Sequence, residues 1–294
     1  MPLTADPTAA VTLGDVRAAA RTLEGVALRT PLVEVPALSL LAGVPVALKC
    51  EQYQPVGAFK IRGAYHAISR TAAAGARGVV TQSSGNHGQA VAWAARAFGL
   101  RAVVVMPEST PRIKVDGVRR HGGEVVFAGA VRSLEQGQRA ETIAREDGLA
   151  MIPPFDHPDV IAGQGTVGLE IAEQRPDVAV EPAGAAKLSA ALAAGEPRTL
   201  ERTESMADGL LTRSIGSFTF PIIRRVVREA VQVAEHEIAA AVRFLHREAG
   251  LRVEPSGAVT TAAVLAGRVR LDGPAVLVVS GGNVDPELFQ RLAE

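Results

Sequence analysis

The chain has a single cysteine, no net charge and no long apolar run. Its 294 residues include 31 Lys+Arg and 31 Asp+Glu, so no excess of positive charge favours contact with nucleic acid or an anionic membrane. Apolar runs such as AVLVV at 275–279 fall far short of the ~20 residues that a membrane-spanning helix needs. We therefore expect neither a nucleic-acid partner nor a membrane partner.

The lone cysteine cannot form an internal disulfide. Cys50 lies in the apolar segment VPVALKCE, which is typical of a strand, so we interpret it as a buried structural thiol rather than a nucleophile. The N-terminal segment MPLTADPTAAV has no basic stretch followed by an apolar core. A reducing cytoplasm is the expected location.

The order of apolar patterns predicts an α/β fold. Between Gly78 and Ile152, short β-branched runs alternate with helical patterns, which indicates a parallel sheet covered by helices. We expect two domains with such sheets: a small domain at 67–150, and a large discontinuous domain at 1–66 and 151–294. Outside the small domain, further helices are predicted at 13–22, 162–174, 183–194, 221–230 and 235–249, and a late buried strand at 275–280.

Lys60 lies in the apolar stretch PVGAFKIRGAY. It could be a surface lysine whose aliphatic stem packs on apolar neighbours. Alternatively, a lysine that Phe59 removes from water, with Arg62 nearby, would have a lowered pKa and a neutral, nucleophilic fraction. Schiff-base chemistry requires such a lysine.

Two glycine-containing loops follow predicted strands. The segment TQSSGNHGQAVAWAARAFG opens a helix whose first N–H groups could hold an anion, although an ordinary cap by Ser83 or Ser84 would explain the same residues. The segment VSGGNVD lies at the carboxyl end of the strand predicted at 275–280, where a serine and two glycines end the strand. Open α/β sheets bind ligands at the carboxyl ends of their strands, so both loops are candidate site residues.

Gly163, Gly165 and Gly168 fit the dinucleotide-binding pattern G-x-G-x-x-G. That pattern needs a strand leading directly into the first glycine. Here the preceding segment PPFDHPDVIA contains three prolines, so we do not assign a nicotinamide site.

Taken in order, the segments VGAFKIRGA, SSGNHGQA, VIAGQGTVGLEI, ADGL, VEPSGA and VVSGGNVD resemble the fold-type II pyridoxal-phosphate enzymes, in the threonine/serine dehydratase and serine racemase branch. The likeness runs from about residue 12 to residue 288. It implies a tryptophan synthase β-like fold and pyridoxal 5'-phosphate as cofactor.

The resemblance also implies roles for single residues. The lysine matching Lys60 carries the cofactor as an internal aldimine, and the residue matching Phe59 packs beside the cofactor ring. Ser280 would bind the pyridine nitrogen, and Ser84 could deliver a proton in the racemase branch. The substrate-binding residues implied are Ser83, Ser84, Gly85, Asn86 and His87. The further cofactor contacts implied are Asn86, Gly209, Glu254 and Gly281.

The implied reaction is α,β-elimination from a hydroxy amino acid, threonine or serine, to a 2-keto acid and ammonia. Two alternatives stay open: a serine racemase or mixed racemase–dehydratase, and a catalytically impaired relative that acts as a scaffold or binding partner. A homodimer is expected from the resemblance.

The sequence departs from the family at three places. Val56 and Ala58 replace hydroxyl residues that often precede the Phe-Lys pair. Lys187 stands six residues after Glu181, where metal-binding relatives have an acidic residue, so we predict no metal. Near 178–181, the segment PDVAVEP takes the place of a strand, a glycine-rich phosphate loop, a helix and another strand, a loss of about thirty residues.

Overall fold

The computed structural model describes residues 11–131, 134–172, 179–227 and 229–294. The chain divides into two compact units. Unit 1 comprises the described part of Met1–Leu28 together with Gln54–Leu169, and unit 2 comprises Arg29–Tyr53 together with the described part of Glu170–Glu294. Within the described ranges, no helix is both long and apolar enough to cross a membrane.

The secondary structure alternates between strands and helices along most of the chain. The helices are α1 (Leu13–Thr22), α2 (Pro36–Ala42), α3 (Lys60–Ala73), α4 (Asn86–Ala97), α5 (Arg112–Arg120), α6 (Glu135–Asp147), α7 (Pro158–Ala172), α8 (Lys187–Ala194), α9 (Thr219–Val226), α10 (Glu235–Ala249), α11 (Pro255–Leu265) and α12 (Pro286–Ala293). The strands are β1 (Leu32–Glu34), β2 (Val46–Cys50), β3 (Gly78–Gln82), β4 (Arg101–Met106), β5 (Glu124–Phe127), β6 (Ala150–Met151), β7 (Ala179–Pro182), β8 (Ala230–Val233) and β9 (Ala275–Val279).

Unit 1 is built on a parallel sheet in the order β5-β4-β3-β6. The β-branched residues of β3 and β4 are buried on both faces, as expected of a parallel sheet covered by helices. Helix α4 lies directly on this sheet, since a Cβ on Gly88 would come within 2.7 Å of Val104. Only residues 83–85 separate the carboxyl end of β3 from the start of α4.

Helices α3 and α7 approach each other closely at two glycines. A Cβ on Gly63 would lie 2.8 Å from the Val160 carbonyl oxygen, and a Cβ on Gly163 would lie 2.5 Å from the Arg62 carbonyl oxygen. The buried Arg62 guanidinium also donates to Thr166 Oγ1 at 3.2 Å, which ties the same two helices together. The G-x-G-x-x-G pattern thus lies inside α7, where Gly163 allows the close contact with α3, and it does not form a dinucleotide-binding loop.

Unit 2 contains a three-stranded sheet, in which β1 pairs with β2 antiparallel and β2 pairs with β9 parallel. A separate parallel pair joins β7 to β8. Helix α11 packs against β7, β8 and β9. Among the residues that the structure describes, no backbone pairing links the two sheets. The core of unit 2 includes the buried residues Leu48, Ile238, Leu245, Val253 and Val279.

The predicted α/β class with parallel sheets and flanking helices is confirmed, with β1 as an antiparallel edge strand. The helix predicted at 221–230 is wrong at its end, because β8 begins at Ala230, and the helix predicted at 183–194 begins as the 3₁₀ turn Ala183–Ala185. The expected small domain of 67–150 lies wholly within unit 1. The structure groups Lys60 with it, since α3 packs on α4. The expected junction near 178–181 begins at Val178, which lies outside the described residues.

Candidate active site

Lys60 is the first residue of α3 and is partly exposed. Its Nζ donates a 2.8 Å hydrogen bond to the carbonyl oxygen of Pro154 and lies 5.0 Å from the centre of the Phe59 ring. Burial of the amine lowers the pKa of Lys60 to about 8, because removal from water disfavours the charged form. The structure therefore favours the nucleophilic interpretation of this lysine over a solvated one.

His87, in the first turn of α4, contacts the same segment as Lys60. Its Nε2 lies 3.1 Å from the carbonyl oxygen of Ile152, and the residue is 3% exposed. Burial, followed by the charge of Lys60, lowers the pKa of His87 to about 3, so the imidazole is neutral at physiological pH. Because a carbonyl can only accept, Nε2 carries the proton. The buried Nδ1 is then an acceptor, and it has no hydrogen-bond partner among the described residues.

The segment between β3 and α4 holds the other predicted substrate-binding residues. Ser83 extends the sheet by donating its N–H to the Val105 carbonyl oxygen at 3.0 Å. Its Oγ accepts from the Gly85 N–H at 3.3 Å and the Gly88 N–H at 3.1 Å, so it satisfies main-chain donors at the start of α4, whose N-cap residue is Gly85. Ser84, Gly85 and Asn86 are partly exposed at this helix start, where main-chain N–H groups favour an anion.

Four predicted cofactor contacts come together in unit 2 around Ser256. The Gly209 N–H donates to Ser256 Oγ at 2.9 Å, and Ser280 Oγ donates to the Ser256 carbonyl oxygen at 3.4 Å. The N–H of the buried Glu254 donates to the Gly281 carbonyl oxygen at 3.2 Å. The loop after β9 thus packs on the start of α11, and the 3₁₀ turn Asp208–Leu210 contacts the same serine of α11 through the Gly209 N–H.

Sequence reasoning gave no role to three residues that organise these clusters. The carbonyl groups of Ile152 and Pro154 orient His87 and Lys60 from the segment that follows β6. Ser256 joins Gly209 to Ser280. The segment PPFDHP contains Pro154, and VEPSGA contains Ser256. Because every residue has a main-chain carbonyl group, the residue type does not reveal the roles of Ile152 and Pro154, and only Ser256 could have been found from the sequence.

The residues of unit 1 fit a cofactor that carries an aldehyde. Attachment of the aldehyde needs a neutral amine, which the lowered pKa of Lys60 supplies. The Nδ1 of His87 is a buried acceptor without a partner among the described residues, so it could accept a hydrogen bond from a donor group of the bound molecule. Within the described ranges, no group of three or more His, Cys, Asp or Glu side chains could hold a metal ion.

Comparison with known proteins places the chain in a family. The family model described as "Pyridoxal-phosphate dependent enzyme" matches residues 23–180 and 176–281. The L-threonine ammonia-lyase of Thermotoga maritima is 37% identical over 314 aligned positions, covering 96% of this chain and 78% of that protein. The serine racemase of Arabidopsis thaliana is 36% identical over 295 positions, covering 87% of this chain and 88% of that protein.

Solved structures agree with the sequence relatives. A threonine deaminase from T.th. superposes with a TM-score of 0.87 at 36% identity, covering 93% of this chain and 99% of that chain. Maize serine racemase superposes with a TM-score of 0.90 at 30% identity, covering 96% of this chain and 97% of that chain. The chain therefore belongs to the pyridoxal-phosphate dependent enzymes, in the fold-type II group that contains threonine dehydratases and serine racemases.

Proposed function

We propose that the protein is an ammonia-lyase that converts L-threonine or L-serine into the corresponding 2-keto acid and ammonia. The observation that carries the proposal is the buried Lys60 amine, with a pKa of about 8, at the start of α3. The ammonia-lyase and dehydratase names of several relatives at 36–40% identity support this reaction.

Lys60 is proposed both to hold the cofactor and to remove the proton from the substrate's α-carbon. When bound, pyridoxal phosphate supplies an electron sink for the electron pair left on that carbon. A lysine with a pKa of about 8 accepts a proton readily near neutral pH, because a useful fraction of it is already unprotonated. The Pro154 carbonyl orients the amine without adding a negative charge that would raise its pKa.

The loop between β3 and α4 is proposed to bind the substrate carboxylate. The start of α4 offers main-chain N–H groups and the positive end of the helix dipole. Ser83 is proposed to act mainly by ordering this loop, since its Oγ already accepts from the Gly85 and Gly88 N–H groups. Ser84, Gly85, Asn86 and His87 are proposed as the direct contacts.

In unit 2, Ser280 is proposed as the partner of the pyridine nitrogen, to which its single hydroxyl proton would turn from the Ser256 carbonyl oxygen. Gly209, Glu254 and Gly281 are proposed as further cofactor contacts. A hydroxyl can donate a hydrogen bond to a ring nitrogen but cannot protonate it as a carboxylic acid can. The electron sink is then moderate, which favours elimination over transamination.

Racemisation of serine is the second candidate, because Ser84 lies at the start of α4 and two serine racemases superpose at TM-scores of 0.90 and 0.85.

The third candidate, an impaired relative, is supported by the alignment with the Thermotoga maritima protein. It spans 314 positions, whereas 96% of this chain is about 282 residues, so roughly 32 positions have no counterpart here. The family model also matches in two segments that meet at 176–180.

Reduction with borohydride after incubation with pyridoxal phosphate, followed by mass spectrometry, tests the cofactor assignment. The pyridoxyl adduct should lie on Lys60; an adduct on Lys49, Lys114 or Lys187 would overturn the assignment.

Keto acid and D-serine, measured together by coupled assay and chiral chromatography, distinguish the ammonia-lyase from the racemase. Keto acid should form faster, and D-serine in excess would favour the racemase. A homodimer and a cytoplasmic location stay predictions, the first testable by light scattering.

A further inference from the structure

The chain uses lysine rarely. Of its 31 Lys+Arg residues only four are lysines, at 49, 60, 114 and 187. Lys49, Lys114 and Lys187 are 0%, 6% and 8% exposed, and Lys60 is partly buried. Lysine is among the residues least often buried, so a buried ammonium needs a specific reason.

Lys187 occupies a position that is unfavourable for a cation by itself. It is the first residue of α8, where the helix dipole presents its positive end. The side chain turns away to main-chain carbonyl groups: Nζ donates to the Leu210 carbonyl oxygen at 2.9 Å and lies 3.5 Å from the Ala185 carbonyl oxygen. The ammonium thus lies between the carbonyl groups of Ala185 and Leu210, which belong to the turns Ala183–Ala185 and Asp208–Leu210.

The segment from Glu204 to Leu210 is held at both ends by residues around the start of α8. The Glu204 N–H donates to the Gly184 carbonyl oxygen at 3.0 Å, and the Gly184 Cα lies so close to the Glu204 carbonyl that a Cβ would not fit. Lys187 holds the other end through Leu210. Between them, the Gly209 N–H points at Ser256 Oγ at 2.9 Å.

We propose that Lys187 is a positioning residue whose ammonium acts as a built-in cation, fixing the Asp208–Leu210 turn so that Gly209 faces Ser256. A continuous series of hydrogen bonds from Lys187 to Ser280 supports this proposal. Lys187 binds Leu210, Gly209 binds Ser256 Oγ, and the Ser256 carbonyl oxygen accepts from Ser280 Oγ. The link to the cofactor rests on the proposed function, whereas the ordering of the turn does not.

Amide hydrogen exchange, followed by mass spectrometry on the protein without added cofactor, measures the turn directly. In Lys187→Met, amides of residues 205–211 should exchange about tenfold faster or more, while those of β9 stay protected. Lys187→Arg keeps a cation on the carbonyl groups and should retain most of the protection. Unchanged exchange at 205–211 in Lys187→Met would overturn the proposal.

Chemical rescue tests whether the charged N–H donors of Lys187 are needed or whether its side chain only fills space. In Lys187→Ala, n-propylammonium should restore protection at 205–211, and tetramethylammonium at equal concentration should not, because it has no N–H donors. Equal effects of the two ions would contradict the proposal. The matched control is Arg224→Met, which removes an exposed cation 3.5 Å from the Gly195 carbonyl oxygen at the other end of α8 and should leave exchange at 205–211 unchanged.

The unmodified protein provides a test that needs no variant to fold. Reductive methylation of Lys187 should become fast only at the denaturant concentration where the Gly209 amide loses protection. Methylation of Lys187 while that amide is still protected would overturn the proposal. An inactive enzyme that passes these exchange tests would instead refute the proposed function alone.

Discussion

The Nζ of Lys60 lies 2.8 Å from the carbonyl oxygen of Pro154, and burial lowers the pKa of this amine to about 8. At pH 7 roughly a tenth of the side chains is neutral, compared with roughly 0.03% for a lysine with the ordinary pKa near 10.5. Burial of the amine therefore raises the reactive fraction by roughly two to three orders of magnitude.

This difference predicts how cofactor attachment depends on pH. Below pH 8 the amine is mostly charged, so the attachment rate should rise about tenfold per pH unit and level off above pH 9. Stopped-flow absorbance of the cofactor-free protein mixed with pyridoxal phosphate measures this rate from pH 6 to 10. Nα-acetyllysine is the control, because its rate should keep rising to about pH 10. A protein profile that levels off only near pH 10 would contradict the burial of the Lys60 amine.

Gly163→Ala should strongly destabilise unit 1. The new Cβ would lie 2.5 Å from the Arg62 carbonyl oxygen, so α3 and α7 would have to separate, and overpacking of this kind costs about 1–3 kcal/mol. Gly168→Ala is the matched control in the same helix, since no described residue lies within 4 Å of the position of its Cβ. It should be neutral or stabilising by up to about 1 kcal/mol, because alanine is the better helix former. Urea unfolding of both variants gives the comparison, and equal stabilities would rule out the glycine contact.

The sequence predicted the alternation of strands and helices well and the site geometry only partly. The β-branched runs of β3 and β4 and the small residues of α4 predict the alternation in unit 1, because burial on both faces leaves a strong apolar signal. The organising role of the Ile152 and Pro154 carbonyl groups after β6 was missed, because main-chain carbonyl groups carry no residue signature. The hydroxyl of Ser256, in the first turn of α11, was overlooked although the segment VEPSGA contains it. The strand β8 was missed because AVQV continues the helical pattern of PIIRRVV, and only its pairing with β7 makes it a strand.

His87 should stay neutral across the physiological range and affect stability at acid pH. Its pKa in the folded protein is about 3, below the unfolded value near 6.5, so between these values the unfolded state binds more protons. The stability of the folded state should therefore fall as the pH drops from 6.5 toward 3. His87→Gln should lose this part of the pH dependence, as measured by urea unfolding at pH 4 and pH 7.

The ring resonances of His87 provide an independent check. NMR should show the neutral tautomer with the proton on Nε2 from pH 5 to 8, since the Ile152 carbonyl can only accept. Titration of His87 between pH 6 and 7 would show that the side chain is solvated and would overturn its placement against Ile152.

Cofactor retention should be the weak point of this chain, and restoring a strand–glycine-rich loop–helix–strand unit between residues 178 and 181 should correct it. The phosphate of pyridoxal phosphate carries nearly two negative charges and needs several N–H donors, which a glycine-rich loop supplies. The roughly 32 unmatched positions are about as many as such a unit contains, and the two segments of the family match overlap at 176–180, which supports the proposal that the unit is missing there. The pairing of β7 with β8, and of β9 with β2, leaves strand edges that an added strand could cover.

The insertion experiment uses the corresponding segment of the Thermotoga maritima relative, with a Gly/Ser linker of equal length at the same place as control. Because the graft would add both N–H donors and sheet pairing, it should raise cofactor occupancy, melting temperature and turnover together, and the linker should raise none of them. Absorbance after gel filtration gives the occupancy, and calorimetry gives the melting temperature. If the 294-residue chain already binds pyridoxal phosphate stoichiometrically and turns over threonine rapidly, then the remaining loops suffice for the phosphate and the missing unit has no catalytic role.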